Sequence, residues 1–500
     1  MKGTLVLVLG FVIFLGGCTM APKYARPQAP ITGNWPSGAA YQLQPKASVP
    51  DVTQLKWQEF FTDPKLQQII ETALRNNRDL RIAILNVEKA RALYGIQWSE
   101  LLPVINAQGE FIKQRSSSDF VLPGYSNISK QYSVDLSIAS WEIDFFGRIR
   151  SLSKQALEEY LGTEEARRSA QITLLSEVAR AYMIIAADQS SLHLARSTLV
   201  AQEGAYNLVA RKFKAMLVNQ ADLYRAQTQV DTALGDLVRY TQQIAKDKNA
   251  LNLLVGSEVP ENLLPIGLES IKSPMDIFPG LSSDVLLRRP DIILAEHQLI
   301  GAYANIGAAR AAFFPSISLT STLGTASSQF TNLFSSGRGT WSFVPQVALP
   351  IFNPNTWFSY RVSESERKIA LAQYEKAIQT AFREVADVLA VQGTVDQQIA
   401  VQQSMVESAQ RIYQISSKRY ANGIDSYLSV LDAQRSLYRA QLELIYMQLS
   451  KSVNKVKAYA VLGGGAWDGV EGRSRSGNRD LLQEEAITFL YAEKSSGAQK

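Results

Sequence analysis

The chain has 500 residues, 46% apolar and 19% charged, which excludes a disordered chain and allows two or three ordinary domains or one large elongated subunit. Its 51 Lys+Arg against 46 Asp+Glu leave a net charge of +5, too dilute over this length, and without any basic run interleaved with aromatics, to point to nucleic acid. A single cysteine excludes a disulfide framework, and two widely separated histidines, His193 and His297, leave zinc chemistry without ligands, so no metal and no cofactor are expected.

Lys2, an apolar run from Leu5 to Leu15 and then Gly16-Gly17-Cys18 read as a signal peptide over residues 1–17. As a helix that run rises only about 16 Å, too short for a bilayer core of about 30 Å. The only cysteine of the chain, Cys18, comes directly after two small residues, the arrangement of a bacterial lipobox; a plain secretory signal with a chance cysteine is the alternative. Seven of the 18 prolines then fall between Pro22 and Pro64, so residues 18–65 read as an extended arm.

Proline is absent between Pro123 and Pro260 and again after Pro354, which invites very long helices. Ile172, Leu175, Ala179, Tyr182 and Ala186 keep a 3,4,3,4 spacing, and Leu442, Ile445, Leu449, Val453, Val456 and Ala460 follow a similar one of threes and fours, as coiled-coil-like seams. A soluble helical bundle would show the same seams.

An internal repeat is the decisive feature. A shift of 212 residues places Asp79 on Asp291, Gly95 on Gly307 and Pro103 on Pro315. A shift of 207 places Glu177-Val178-Ala179 on Glu384-Val385-Ala386, Lys212-Phe213 on Arg419-Tyr420 and Gly256 on Gly463. The first repeat spans 66–270 and the second 271–467, with a polar tail over 468–500. Each predicts a helix (about 66–100 and 283–312), two strands (about 104–115 and 131–143, then 316–327 and 341–352) and a long helical hairpin. Polar connections at 116–130 and 328–340 read as outside loops.

Strands of about ten residues have the length of tilted membrane strands, but closed membrane barrels start at about eight strands. An open four-stranded sheet would leave backbone groups unpaired in lipid at several kcal/mol each. If these strands span, several chains must pool them. The aromatics Trp141, Phe145, Phe146, Trp341, Phe343, Phe352 and Trp357 flank the strands, as an interfacial girdle, as packing at the joint to the helices, or as a mixture.

Several stretches together resemble the outer-membrane efflux factors of Gram-negative bacteria, in the lipidated OprM-like branch. They are Tyr24-Ala25-Arg26-Pro27, Trp57 through Phe60-Phe61-Thr62-Asp63-Pro64, Leu287-Arg288-Arg289-Pro290-Asp291-Ile292 with Ala295-Glu296, and Arg419-Tyr420-Ala421-Asn422-Gly423 through Ser436. The resemblance implies a mainly α fold with a β-barrel: a homotrimer with a 12-stranded outer-membrane barrel and a 12-helix periplasmic tunnel. It implies a passive exit duct for small molecules such as antibiotics, not an enzyme, lipid-anchored at Cys18. The implied partners are outer-membrane lipid, a periplasmic adaptor of the membrane fusion type and an inner-membrane transporter of the resistance-nodulation-division class. A type I protein-secretion conduit and a structural envelope lipoprotein without a pore are the competing readings.

In that branch the periplasmic end is closed by a Leu and an Asp, here Leu428 and Asp432. At the 207 shift Arg225 stands where Asp432 does, so an Arg225–Asp432 pair between hairpins is expected to lock the closed state; Asp425 and Asp222 are the fallback acids. Solvated surface positions are the bland alternative. The hairpin turns, Met216-Leu217-Val218-Asn219 and Asn422-Gly423-Ile424-Asp425, are implied to meet the adaptor. Met216 replaces the glycine the second turn keeps at Gly423.

Overall fold

The structure, a computed structural model, describes residues 19–41, 55–122, 124, 126–277 and 282–464. The expectations for Cys18, for the signal peptide and for the tail lie outside the described residues. The described residues form two compact units, one drawn from within 19–33, 77–171 and 286–383, the other from within 34–76, 172–285 and 384–464.

The first unit holds the sheet. Strands β1 (Ile105–Arg115), β2 (Ile128–Glu142), β3 (Ser316–Ser327) and β4 (Gly339–Ala348) pair antiparallel in the order β1-β2-β3-β4, with Ile105 opposite Ile138 and Ile317 opposite Val347. The expected strands are all present, with bounds moved by up to four residues. Between β2 and β3 the register slips at Ile138/Trp141, where Ser140 takes φ 50°. Every residue of β1 is exposed, and so are nearly all of β4. A soluble domain would bury one face of such a sheet; here no described strand pairs with either edge, and Phe111, Leu136, Trp341 and Val347 are open.

Beside the sheet runs α6 (Pro290–Ala311), opened by Pro290 at its first position, where a missing N–H costs nothing. The N-terminal arm is docked on it. Arg26 donates to both carboxylate oxygens of Glu296 at 2.8 and 2.5 Å, the Tyr24 hydroxyl donates to Glu296 at 3.0 Å, and the Tyr24 ring stands edge-on to Tyr303. Glu296 is buried, so its charge requires these partners. The flanking aromatics divide as a mixture. Phe146 stacks on Phe314 and the Trp141 indole donates to the Leu101 carbonyl, while Trp341, Phe343 and Phe352 are exposed.

In the second unit α1 (Trp57–Phe60) leads into α2 (Pro64–Asn76), capped by Asp63, whose carboxylate accepts from the backbone of Lys65 and Leu66. Phe60 and Phe61 are fully buried against Tyr459, the Phe60 ring stacking at 4.2 Å, and the Tyr459 hydroxyl donates to the Leu55 carbonyl. The single helix expected over 66–100 is two: α2 ends at Asn76 and α3 (Arg78–Ser99) starts anew, because the Asn77 side chain accepts from the Leu80 N–H and caps the new helix.

The first hairpin is α4 (Arg148–Lys214) and α5 (Gln220–Val255). Its Ile172–Ala186 seam is buried as expected. The second is α7 (Pro354–Gln392), α8 (Val395–Ala421) and α9 (Tyr427–Val461), its ascending limb interrupted at Gly393-Thr394. The seam expected on α9 from Leu442 to Ala460 is mostly half-buried; the buried side there carries Asn454, Val456, Ala458 and Tyr459. Asn454 donates across to the Val388 carbonyl, so one buried position on this face is polar.

Both hairpins end in the same way. Gly256 and Gly463 each take φ 74° and close their helices by returning N–H groups to carbonyls one turn back.

Candidate functional site

The two turns are built alike. In the first, the Met216 N–H donates to the Phe213 carbonyl and the Leu217 N–H to the Lys212 carbonyl, both at 2.9 Å; in the second, Gly423 donates to Tyr420 and Ile424 to Arg419. This pair of bonds is the Schellman ending, which needs a left-handed residue at its corner. Gly423 supplies it at φ 73° and Met216 at φ 58°. A residue with a Cβ in that conformation costs about 1–2 kcal/mol, so the first turn keeps the geometry of the second at an energetic disadvantage.

Beyond the corner the two turns differ. Asn219 caps α5, its side chain accepting from the Asp222 N–H at 2.9 Å. Across the second turn the Arg419 guanidinium donates to both oxygens of Asp425 at 2.6 and 3.0 Å, and this holds the Asp425 carboxyl below the usual carboxylate range. The first turn has Lys212 and Val218 at the corresponding positions, so the clamp has no counterpart there. Lys212 instead sits over the Tyr420 ring, 4.2 Å from its centre, and donates to the Tyr420 carbonyl, tying the first turn to the second.

Beneath the turns Val209, Ala226, Tyr420, Tyr427, Val430 and Leu431 form a buried cluster drawn from α4, α5, α8 and α9. Burial pushes the Tyr427 phenol up to about 12, so it stays neutral. Further along the first hairpin, burial and the facing Asp247 carboxyl push Asp188 up to about 7.

Leu428 and Asp432 lie one helical turn apart on α9 and both are exposed, while Val430, Leu431, Ala433 and Gln434 between and beyond them are buried. The exposed pair therefore faces away from the cluster of its own chain. The expected Arg225–Asp432 pair does not form within the chain. Arg225 donates to Asp222 at 3.0 Å, three residues earlier on the same helix, where an acid in the first turn is already favoured by the helix dipole. The link between hairpins at this level is Arg435, which donates to the buried Gln229 side chain at 3.2 Å. Neither that contact nor the Lys212–Tyr420 bridge is legible in the sequence; Lys212 aligned on Arg419 without a partnering acid is the available signal.

The profile of the family described as "Outer membrane efflux protein" matches the chain twice, over residues 69–257 and 281–464. The toluene efflux pump outer membrane protein TtgC of Pseudomonas putida is 45% identical over 456 residues, covering 91% of this chain and 94% of the relative. The outer membrane protein OprJ of Pseudomonas aeruginosa is 39% identical, covering 94% and 97%. The crystal structure of the open state of the Neisseria gonorrhoeae MtrE outer membrane channel superposes with a TM-score of 0.81 at 34% identity, covering 91% of this chain and all of that one.

Proposed function

This chain belongs to the outer membrane efflux protein family, and we propose that it is the passive exit duct of a tripartite pump, taking small molecules such as antibiotics or organic solvents across the outer membrane. The observation that carries the reading is the sheet, four strands long enough to span, with edges at β1 and β4 and with nearly all residues of both edge strands exposed. Three chains pool twelve strands, above the roughly eight at which membrane barrels close, and no backbone group is left open to lipid. Cys18 carries lipid and ties each chain to the membrane.

At the periplasmic end Leu428 and Asp432 from each chain form the closing ring, an apolar plug beside a cation-attracting constriction. Arg225, Asp222 and Asp425 belong to the neighbouring turns. Met216–Asn219 and Asn422–Asp425 meet a periplasmic adaptor, which joins the duct to a transporter of the resistance-nodulation-division class. The transporter supplies the energy, and the duct has no reaction of its own.

The test is drug susceptibility. In Gram-negative cells lacking their own outer membrane efflux proteins, co-expression of this chain with such a pump and adaptor restores resistance to toluene and antibiotics. Unchanged susceptibility, with export of a type I secretion substrate instead, rejects the efflux reading.

A further inference from the structure

The Met216 corner is out of keeping with the chain's own chemistry. Its backbone is left-handed at φ 58°, a conformation its repeat partner reaches with glycine. Substitution by glycine would relieve the backbone and lose no packing, because the Met216 side chain is 94% exposed. Among the described residues nothing packs on the Met216 side chain to offset the strain, which points to a contact outside them. Leu217 beside it is 72% exposed, and the last turn of α4 adds the exposed cations Arg211 and Lys214. Strain, exposed apolar surface and one-sign charge therefore meet at a single loop tip.

We propose that Met216 and Leu217 form an apolar prong that enters an apolar recess rimmed by carboxylates on the periplasmic adaptor, and that the first turn alone makes this contact. The proposal rests on the reading that the turns meet an adaptor. A methionine suits such a role because its unbranched, polarisable chain adapts to the wall of a recess. The acidic rim is argued from Arg211 and Lys214, which flank the prong and attract acids. The second turn is a different surface. Its Asp425 is clamped by Arg419, its corner is glycine, and its exposed apolar residue, Ile424, stands alone beside the polar Asn422. The two turns of one chain thus present a strained, apolar, cationic tip and one whose corner is glycine, whose acid is clamped by Arg419 and which keeps one further exposed cation, Lys418.

The experiment uses the full-length chain in cells with an epitope-tagged adaptor and its inner-membrane transporter. A photo-reactive residue replaces Leu217 in one variant and Ile424 in another, and Met216→Gly, Met216→Asn and Met216→Leu are measured beside them. The prong predicts cross-linking to the adaptor from position 217. It predicts that Met216→Gly melts no lower than the wild type, yet captures the adaptor about tenfold less well, the scale of losing one anchoring side chain, and loses resistance with it. Met216→Asn, equally tolerant of the corner but polar, loses capture too, and Met216→Leu keeps it. If Met216→Gly and Met216→Asn retain capture and resistance while positions 217 or 424 cross-link to the adaptor, the prong is wrong and the tip reading stands. If neither position cross-links to the adaptor, both fall. Cross-linking of position 217 to a second copy of this chain overturns the proposal in favour of self-contact.

Discussion

Asp432 is set apart from the other acids around the turns by having no ion-pair partner among the described residues, whereas Asp425 is held by Arg419 and Asp222 by Arg225. That leaves Asp432, with Leu428 one turn before it, as the exposed acid that the proposed closing ring would use. Replacing both, Leu428→Ala with Asp432→Ala, is expected to raise single-channel conductance in planar bilayers severalfold and to weaken cation preference, since plug and charge go together. Unchanged conductance and selectivity would place the closing ring elsewhere on the hairpins. At this scale the sequence is legible in identity and not in pairing. Arg225 and Asp432 align across the repeat, yet a helix brings residues three apart together before any tertiary contact is made, and Asp222 takes the arginine. The departure at Met216 is visible as a missing glycine; that the turn keeps its left-handed corner regardless is not.

Elements are more legible than pairings, because their signals are periodic and local. Proline-free stretches mark both hairpins, and alternation such as Ile317, Leu319 and Leu323, carried across by the repeat, marks the strands. The breaks escape notice where the signal is one residue deep: Asn77 as a new cap inside an apparently continuous helix, and Gly393-Thr394 between α7 and α8. The glycines that end elements carry different burdens although their backbones agree. Gly256 and Gly423 have φ of 74° and 73°, but a Cβ on Gly256 would stand 2.5 Å from the Asn76 carbonyl oxygen, and one on Gly423 would meet nothing within 4 Å. Gly423→Ala should therefore cost about 1–2 kcal/mol, the left-handed penalty alone, and Gly256→Ala about 2–4 kcal/mol with the clash added. Denaturant midpoints of the two variants check the order; equal losses would mean that the α2 end moves aside without cost.

The whole molecule is where a single sequence says least and the exposed surface says most. The clasp of Tyr24 and Arg26 on Glu296 joins residues some 270 positions apart, which no local pattern could pair. The chain also exposes Ile82, Leu85, Leu93 and Ile96 on α3 together with the apolar residues of the sheet, more than a monomer in water tolerates. Membrane and neighbouring copies are what would cover them. Four strands per chain become a closed barrel only by pooling. The most direct measurement is the native mass of the full-length protein extracted from outer membranes in mild detergent and shown to conduct on reinsertion. A conducting species of three chains and none of one is expected; a single chain that inserts and conducts by itself would refute the pooled barrel.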